Sequence, residues 1–189
     1  QASRLRRPSV RSSAMSKNEH MRFSDRKRQQ MDFQFPDVPM NIVLVYPSIP
    51  PNTGNVSRLC AATGSRLHLI EPLGFDIDER AVRRAGLDYW DSVDINVYPD
   101  FGTFMKQNSK GRKFFFSTAG KKIFHDADFE AGDFLIFGNE TYGLPDEIIH
   151  KQPADHILNI PIKLDNVRSL NLSNCAAIVL FEALRQINT

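Results

Sequence analysis

Three segments of the sequence carry residues that could bind a small molecule and stabilise negative charge. In the first, residues 49–58, two prolines stiffen the chain and Gly54 precedes Arg58 by about one helical turn. A guanidinium at that place can bind a phosphate or a developing oxyanion. The same residues also suit a surface arginine on a capped helix, so this segment alone leaves both interpretations open.

The second segment, residues 137–145, directly follows an apolar run. Gly138 and Gly143 allow backbone N–H and C=O groups to approach a ligand closely, and Glu140 places a carboxylate between them. A glycine turn after a strand is common. This one matches neither the G-x-G-x-x-G turn of dinucleotide-binding folds nor a phosphate-binding P-loop, so it is weak evidence on its own.

The third segment, residues 160–177, places many polar side chains at the start of a helix. Ser169, Asn171, Ser173 and Asn174 offer more hydrogen-bonding groups than one helix cap needs. The surplus favours contacts with a ligand, whereas a well-capped terminal helix is the purely structural alternative.

Alternating apolar runs and helical patterns predict the elements that hold these segments. Strands are expected at residues 41–46, 66–71, 113–118, 133–138 and 156–160, and helices at 55–63, 78–86, 101–107 and 172–186. The pattern predicts an α/β domain with a mostly parallel sheet flanked by helices. Because ligands bind beyond the carboxyl ends of parallel strands, the loops at 47–55, 138–145 and 161–174 should converge at one edge.

Residues 1–39 are predicted to form a disordered basic tail, which precedes a catalytic domain at residues 40–189. The tail carries a net charge of +5 and no apolar periodicity, whereas the remainder carries −3. The first residue is Gln rather than Met, which suggests a processed end or a cloning artefact. An organelle transit peptide and an arm that contacts RNA phosphates are two further interpretations, and an inert tail is the default.

The composition argues against several classes of protein. No apolar run is long enough to cross a bilayer, so a soluble, cytoplasmic protein is expected. Cys60 and Cys175 are interpreted as buried free thiols, which suits a reducing compartment. The five histidines lack the spacing of metal ligands, so no metal site is expected.

Taken together, the three segments resemble the three signature motifs of the SpoU/TrmH-type RNA 2′-O-methyltransferases of the SPOUT superfamily. The matching stretches are P-P-N-T-G-N-x-x-R at 50–58, F-G-N-E-T-Y-G-L-P at 137–145, and I-P-I at 160–162 followed by V-R-S-L-N-L-S-N-C-A-A at 167–177. Residues 83–90 are also similar to a segment of the TrmL-like enzymes, which modify the wobble nucleotide of tRNA. The resemblance covers about residues 40–188, and the tail departs from it.

The resemblance implies a fold, an activity and a set of residues. The fold is an α/β sheet whose C-terminal part forms a trefoil knot, and the activity is 2′-O-methylation of tRNA at the wobble nucleotide (C34 or U34) with S-adenosylmethionine. A homodimer with a shared active site is also implied. The expected cofactor-binding residues are Phe116, Gly138, Ile160, Ser169, Leu170 and Asn174. The expected catalytic residues are Arg58, Asn55, Glu140, Asn171 and Ser173. The expected contacts to RNA are Arg83, Arg84, Tyr142 and Arg168, with Lys163 and Trp90 as further candidates.

By resemblance Arg58 is the catalytic residue, often described as a general base. Arginine is effectively always protonated in proteins, so a purely basic role conflicts with its chemistry. We therefore expect Arg58 to lower the pKa of the ribose hydroxyl electrostatically, with a substrate phosphate taking part. The C-terminal helix face of Ala176, Val179, Leu180, Ala183 and Leu184 suits either a dimer interface or the core.

Three alternatives are weighed against this interpretation. A methyltransferase of the same kind could act on another tRNA position or on rRNA. A non-catalytic RNA-binding module would keep the basic contacts but would not bind the methyl donor. A dinucleotide-dependent oxidoreductase would need a G-x-G-x-x-G turn after the first strand, where the sequence has Pro-Pro-Asn-Thr-Gly.

Overall fold

Seven strands make up a single sheet in the computed structural model, which describes residues 31–76, 92–163, 165 and 167–188. The strands are β1 (Asn41–Val45), β2 (Arg66–Ile70), β3 (Ile95–Tyr98), β4 (Lys113–Phe116), β5 (Lys122–Ile123), β6 (Phe134–Phe137) and β7 (Ile157–Asn159). Their order across the sheet is β3-β2-β1-β6-β4-β7-β5. Each pair of neighbours described here is parallel, so the predicted mostly parallel α/β sheet is confirmed.

Within the described residues, four α-helices and two short 3-10 turns connect or flank these strands. The helices are α1 (Pro50–Thr63), α2 (Phe101–Gln107), α3 (Asp146–Ile149) and α4 (Leu172–Ile187). The 3-10 turns are Phe124–Asp126 and Ala154–His156. The bounds of α2 are those predicted, and α4 ends one residue later than predicted.

Helix α1 begins earlier than the sequence predicted. The two prolines occupy its first positions, where a missing N–H costs no hydrogen bond, and Ile49 is the N-cap. The stretch from Pro50 to Gly54 is therefore the first helical turn and not a loop. The predicted end is confirmed, since Gly64 closes α1 in the left-handed conformation with φ of 67°.

Two strands and one helix were missed. Strand β3 is an edge strand whose alternating residues are only partly buried, β5 has two residues, and α3 is a single turn. Such short elements carry too few residues for a periodicity to stand out. The helix predicted at 78–86 lies outside the described residues, as do Arg83, Arg84 and Trp90.

The sheet is apolar on both faces and has a core on each. Ile42 and Leu44 of β1 belong to the core under α1 and α4, whereas Val43 and Val45 belong to the core under α2 and α3. The α4 face discussed above lies wholly in the first core, so it is not an interface. Its buried residues are Ala176, Val179, Leu180, Ala183 and Leu184.

The compact unit of the protein covers residues 33–189 and so includes residues before Met40. Phe33 packs against the first core, and the backbone N–H of Gln34 donates to Oδ1 of Asn188 at 3.1 Å. The disorder expected for residues 1–39 stays a prediction, because residues 1–30 are outside the described part of the chain.

Candidate active site

A cleft of about 440 Å³ opens beyond the carboxyl ends of β4, β6 and β7. This volume is typical of a pocket for a small molecule, and the position is the one where parallel α/β sheets bind ligands. Apolar side chains alternate with glycine, serine and asparagine around it. The described lining residues are 116–119, 137–144, 146, 159, 160, 162, 168–170, 172 and 175.

The Glu140 carboxylate joins the second loop to the start of α1. Its Oε2 accepts hydrogen bonds from the backbone N–H and the hydroxyl of Ser48, at 2.9 and 3.0 Å. Its Oε1 accepts from the N–H of Ile49 and from Nδ2 of Asn52, both at 3.1 Å. Helix α1 has no acidic residue in its first turn and no side-chain cap of its own. Glu140 therefore supplies the negative charge that a helix N-terminus favours.

These contacts determine the charge of Glu140. Partial burial raises its pKa, but the donors from Ser48 and Asn52 outweigh burial and bring the pKa below the ordinary value. Glu140 is thus a carboxylate at neutral pH, with both oxygens engaged. A group held in this way is a poor proton acceptor, so Glu140 has the chemistry of a structural anion and not of a general base.

Asn52 extends this network to the third loop. It is 5% exposed, and its Oδ1 accepts a hydrogen bond from Nδ2 of Asn171 at 2.9 Å. Asn171 in turn caps α4, because its Oδ1 accepts from the N–H and the hydroxyl of Ser173 at 2.9 and 2.7 Å. One chain of side chains, Glu140–Asn52–Asn171, therefore holds all three loops together, and the predicted convergence of the loops is confirmed.

The second loop is closed by backbone contacts that require glycine. Asn139 and Gly143 exchange two backbone hydrogen bonds of 3.0 and 2.8 Å. A Cβ at Gly138 would lie 2.1 Å from backbone atoms of Gly143 and Leu144, so no other residue fits there. Nδ2 of Asn139 also donates to the carbonyl of Tyr46 at 2.7 Å.

Tyr46 lies directly after β1 in a rare backbone conformation. Its φ of 56° is in the left-handed region, which is unfavourable for an aromatic residue. The contact with Asn139 holds this conformation at the carboxyl edge of the sheet. Strain of this kind tends to occur at functional sites.

Most of the residues expected to hold the cofactor lie together. Phe116, Gly138, Ile160, Ser169 and Leu170 all line the cleft, whereas Asn174 is exposed in the first turn of α4 and does not. Of the expected RNA contacts, Tyr142 and Arg168 are exposed at the cleft.

The expected catalytic residues are spread more widely. Glu140 lines the cleft, and Asn171 and Ser173 stand next to it at the start of α4. Asn55 and Arg58 are exposed on α1 and are not among the described lining residues. The 3.6-residue helical period explains this, because the buried face of α1 carries Asn52, Thr53, Val56, Ser57 and Cys60.

Several contributors to this site were not predicted from the sequence. Asn52 lies within the first motif, but only Asn55 and Arg58 of that motif were expected to act in the site. Residues 117–119 and Asn159 also line the cleft. A buried amide in the first turn of a helix that lacks its own cap could have indicated Asn52. Cys175 is half-buried at the cleft, whereas Cys60 is fully buried, and burial raises the pKa of the Cys60 thiol to about 12.

Two further properties concern the part of the chain that the structure describes. There, no group of three or more His, Cys, Asp or Glu side chains is arranged to hold a metal ion. No helix within it has the length and apolar character needed to cross a membrane.

Comparison with known proteins places this site in context. Residues 39–181 match the model of the SpoU rRNA Methylase family. The chain is 51% identical, over 148 residues, to a Burkholderia cenocepacia protein named tRNA (cytidine(34)-2′-O)-methyltransferase, and the match covers 77% of this chain and 94% of that protein.

Solved structures are similar as well. One that concerns the 2-OH methylation of C/U34 on tRNA has a TM-score of 0.72 and 42% identity, covering 78% of this chain and 95% of the other. The SpoU methyltransferase AviRb from Streptomyces viridochromogenes, in complex with the cofactor AdoMet, shares the fold. Its TM-score is 0.68 at 24% identity, covering 82% and 60% of the two chains.

Replacing Glu140 with Gln should lower the free energy of unfolding by about 2 kcal/mol, because an amide NH₂ replaces an oxygen that accepts two hydrogen bonds. The folded pKa of Glu140 is depressed, so the stability from its carboxylate is fully present above the ordinary carboxyl pKa. That stability is lost as pH falls through the folded pKa. In urea unfolding, the difference between wild type and variant should therefore shrink from about pH 5 to about pH 3.

Glu147→Gln is the matched control, since Glu147 is an exposed glutamate of α3. Its effect should stay within about 0.5 kcal/mol. Equal losses in the two variants, or a difference for Glu140→Gln that does not change with pH, would contradict the assigned role.

Proposed function

Because this chain belongs to the SpoU rRNA methylase family, we propose that it methylates a ribose 2′-hydroxyl of tRNA at the wobble nucleotide, C34 or U34. The methyl donor is S-adenosylmethionine. The observation that supports this most directly is the cleft lined by the second and third signature loops, to which Asn52 ties the first, in a chain 51% identical to a tRNA (cytidine(34)-2′-O)-methyltransferase.

The lining of the cleft suits S-adenosylmethionine. Phe116, Ile160 and Leu170 offer apolar surface for the adenine ring, and Gly138 and Ser169 leave backbone polar groups accessible to its edge. When bound, the cofactor supplies an electrophilic methyl group on a sulfonium. Tyr142 and Arg168, exposed at the rim, are placed to contact a nucleotide by stacking and by phosphate binding.

Activating the ribose hydroxyl is the task left to the protein. A hydroxyl is a weak nucleophile at neutral pH and needs its proton removed or its developing charge stabilised. Glu140 is fully engaged as a hydrogen-bond acceptor, so it does not serve as the base. Arg58 stabilises the developing alkoxide through its positive charge, and a phosphate of the substrate takes part.

The position of Arg58 favours a homodimer with shared active sites. Arg58 is exposed and does not line the cleft of its own chain, so a second chain is needed to bring it there. Helix α4, which packs on α1, presents Ile178 and Phe181 outward, 41% and 53% exposed. Pairing of these faces would bury apolar surface and place Arg58 of the partner subunit at the cleft.

A trefoil knot formed by the C-terminal part of the chain is part of the same proposal. Strand β7 lies between β4 and β5, so the chain that joins β4 to β5 passes over the end of β7. Later in the chain than β7, Asn171 contacts Asn52 of α1. This arrangement is consistent with a C-terminal segment that threads through an earlier loop.

Incubating the purified protein with unmodified tRNA and S-adenosylmethionine should yield 2′-O-methylcytidine or 2′-O-methyluridine at position 34, measured by nucleoside and fragment mass spectrometry. Arg58→Lys should lower kcat at least about tenfold, because a point charge replaces the planar guanidinium. Arg66→Lys is the matched control, because Arg66 is the first residue of β2, at the amino end of the sheet. Its kcat should stay within about twofold of wild type.

A methylated nucleoside at another tRNA position in this assay would identify a different target nucleotide, and methylation of rRNA in a parallel incubation would identify a different substrate. Absence of any methylated nucleoside would contradict the proposal as a whole. Full activity of Arg58→Lys would contradict the role given to the guanidinium.

Shared active sites predict complementation between two inactive variants. Arg58→Ala removes the charge, and Ser169→Phe fills the cleft at an exposed position. After co-expression in equal amounts, half of the dimers are hybrids with one intact composite site, so about a quarter of wild-type activity should return. If the co-expressed variants are as inactive as each variant alone, Arg58 and the cleft of the same chain form one site, and the shared-site proposal is wrong.

A further inference from the structure

The loop between β4 and β5 forms one wall of the cleft and crosses the end of β7. Ser117, Thr118 and Ala119 of this loop line the cleft. Phe116 of β4 and Lys122 of β5 are both register partners of Leu158, on opposite sides of β7. The loop therefore bridges a strand end, where it has no ladder of its own to satisfy its backbone groups.

Asn159, the last residue of β7, supplies those missing contacts. Its Nδ2 donates to the carbonyl of Thr118 at 3.1 Å and to the carbonyl of Gly120 at 3.2 Å. One amide group thus satisfies two carbonyls of the loop with its two N–H bonds. Asn159 is half-buried and itself lines the cleft.

Other contacts hold the same loop in one conformation. The N–H of Ser117 donates to the carbonyl of Leu158 at 2.9 Å, and the N–H of Gly120 donates to the carbonyl of Ser117 at 3.0 Å. A Cβ at Gly120 would lie 2.8 Å from the carbonyl carbon of Leu158, so only glycine can pack so closely on β7. The loop is fixed at its start and near its end, and the Asn159 amide fixes the part between.

We propose that Asn159 is a positioning residue for the methyl donor: it holds residues 117–120 in the conformation that completes the cofactor side of the cleft. The inference rests on the proposed function. Preorganising a wall raises affinity for the ligand that contacts it. The rim residues Tyr142 and Arg168 belong to other loops, so affinity for tRNA should not depend on Asn159.

Two substitutions separate this role from a general structural one. Asn159→Ala removes both donors. Asn159→Asp keeps the shape but directs a carboxylate oxygen at two carbonyl oxygens, which repels the loop. Asn96→Ala is the matched control, since Asn96 of edge strand β3 donates to Oδ1 of Asp94 at 2.9 Å, at the far end of the sheet.

The experiment measures the Kd of S-adenosylmethionine by calorimetry and the Kd of tRNA by filter binding for the full-length variants, with Tm as a folding check. We expect the Kd of S-adenosylmethionine to rise about tenfold in Asn159→Ala and further in Asn159→Asp. The Kd of tRNA should stay within about twofold, and kcat of Asn159→Ala at saturating S-adenosylmethionine should be near wild type.

The remaining outcomes overturn the inference in distinguishable ways. If wild type and both variants bind S-adenosylmethionine equally well, Asn159 has no positioning role while the proposed function stands. If affinities for S-adenosylmethionine and tRNA fall together with Tm, the residue is only structural. If wild type binds no S-adenosylmethionine, the proposed function fails and this inference fails with it.

Discussion

The structure of the site depends on one partly buried carboxylate and the donors that surround it. Glu140 accepts hydrogen bonds from Ser48, Ile49 and Asn52 and so replaces the cap that α1 lacks. A carboxylate in this position is stable only if its donors are in place, and the donors belong to a different loop. The charge therefore holds the first and second loops together. Asn52 connects them to the third loop, because its Oδ1 accepts a hydrogen bond from Asn171.

The order of the strands in the sheet allows these loops to contact each other. Strands β1 and β6 are neighbours, so the loops that follow them leave the sheet side by side. Helix α4 packs on α1, which brings Asn171 within reach of Asn52. The resulting cleft suits a small molecule, but Arg58 stands outside it on the exposed face of α1. In the proposed mechanism the cofactor binds in the cleft and Arg58 activates the hydroxyl, and because these lie on different surfaces of one chain, that mechanism includes a second chain.

Elements with a long periodic pattern were predicted from the sequence, whereas contacts between residues far apart in the sequence were missed. Buried strands such as β1 and β6 are recognisable as continuous apolar runs. Gly64 indicates a helix end because glycine readily adopts the left-handed conformation that closes a helix. Pro50 and Pro51 were predicted to lie in the loop at 47–55, although proline is favourable in the first turn of a helix and both stand there in α1. The role of Asn52 was missed because it depends on Glu140 and Asn171, which are 88 and 119 residues away. Asn159 was missed for the same reason, since its partners become neighbours only when β7 inserts between β4 and β5.

The most direct test of this account is a double-mutant cycle between Glu140 and Asn171, each of which is hydrogen-bonded to Asn52. The free energies of unfolding of wild type, Glu140→Gln, Asn171→Ala and the double variant would be measured in urea. If the three side chains act as one unit, the double variant should lose less stability than the two single losses combined, by about 1 kcal/mol. Strict additivity of the two losses would contradict the claim that a single network gathers the three loops.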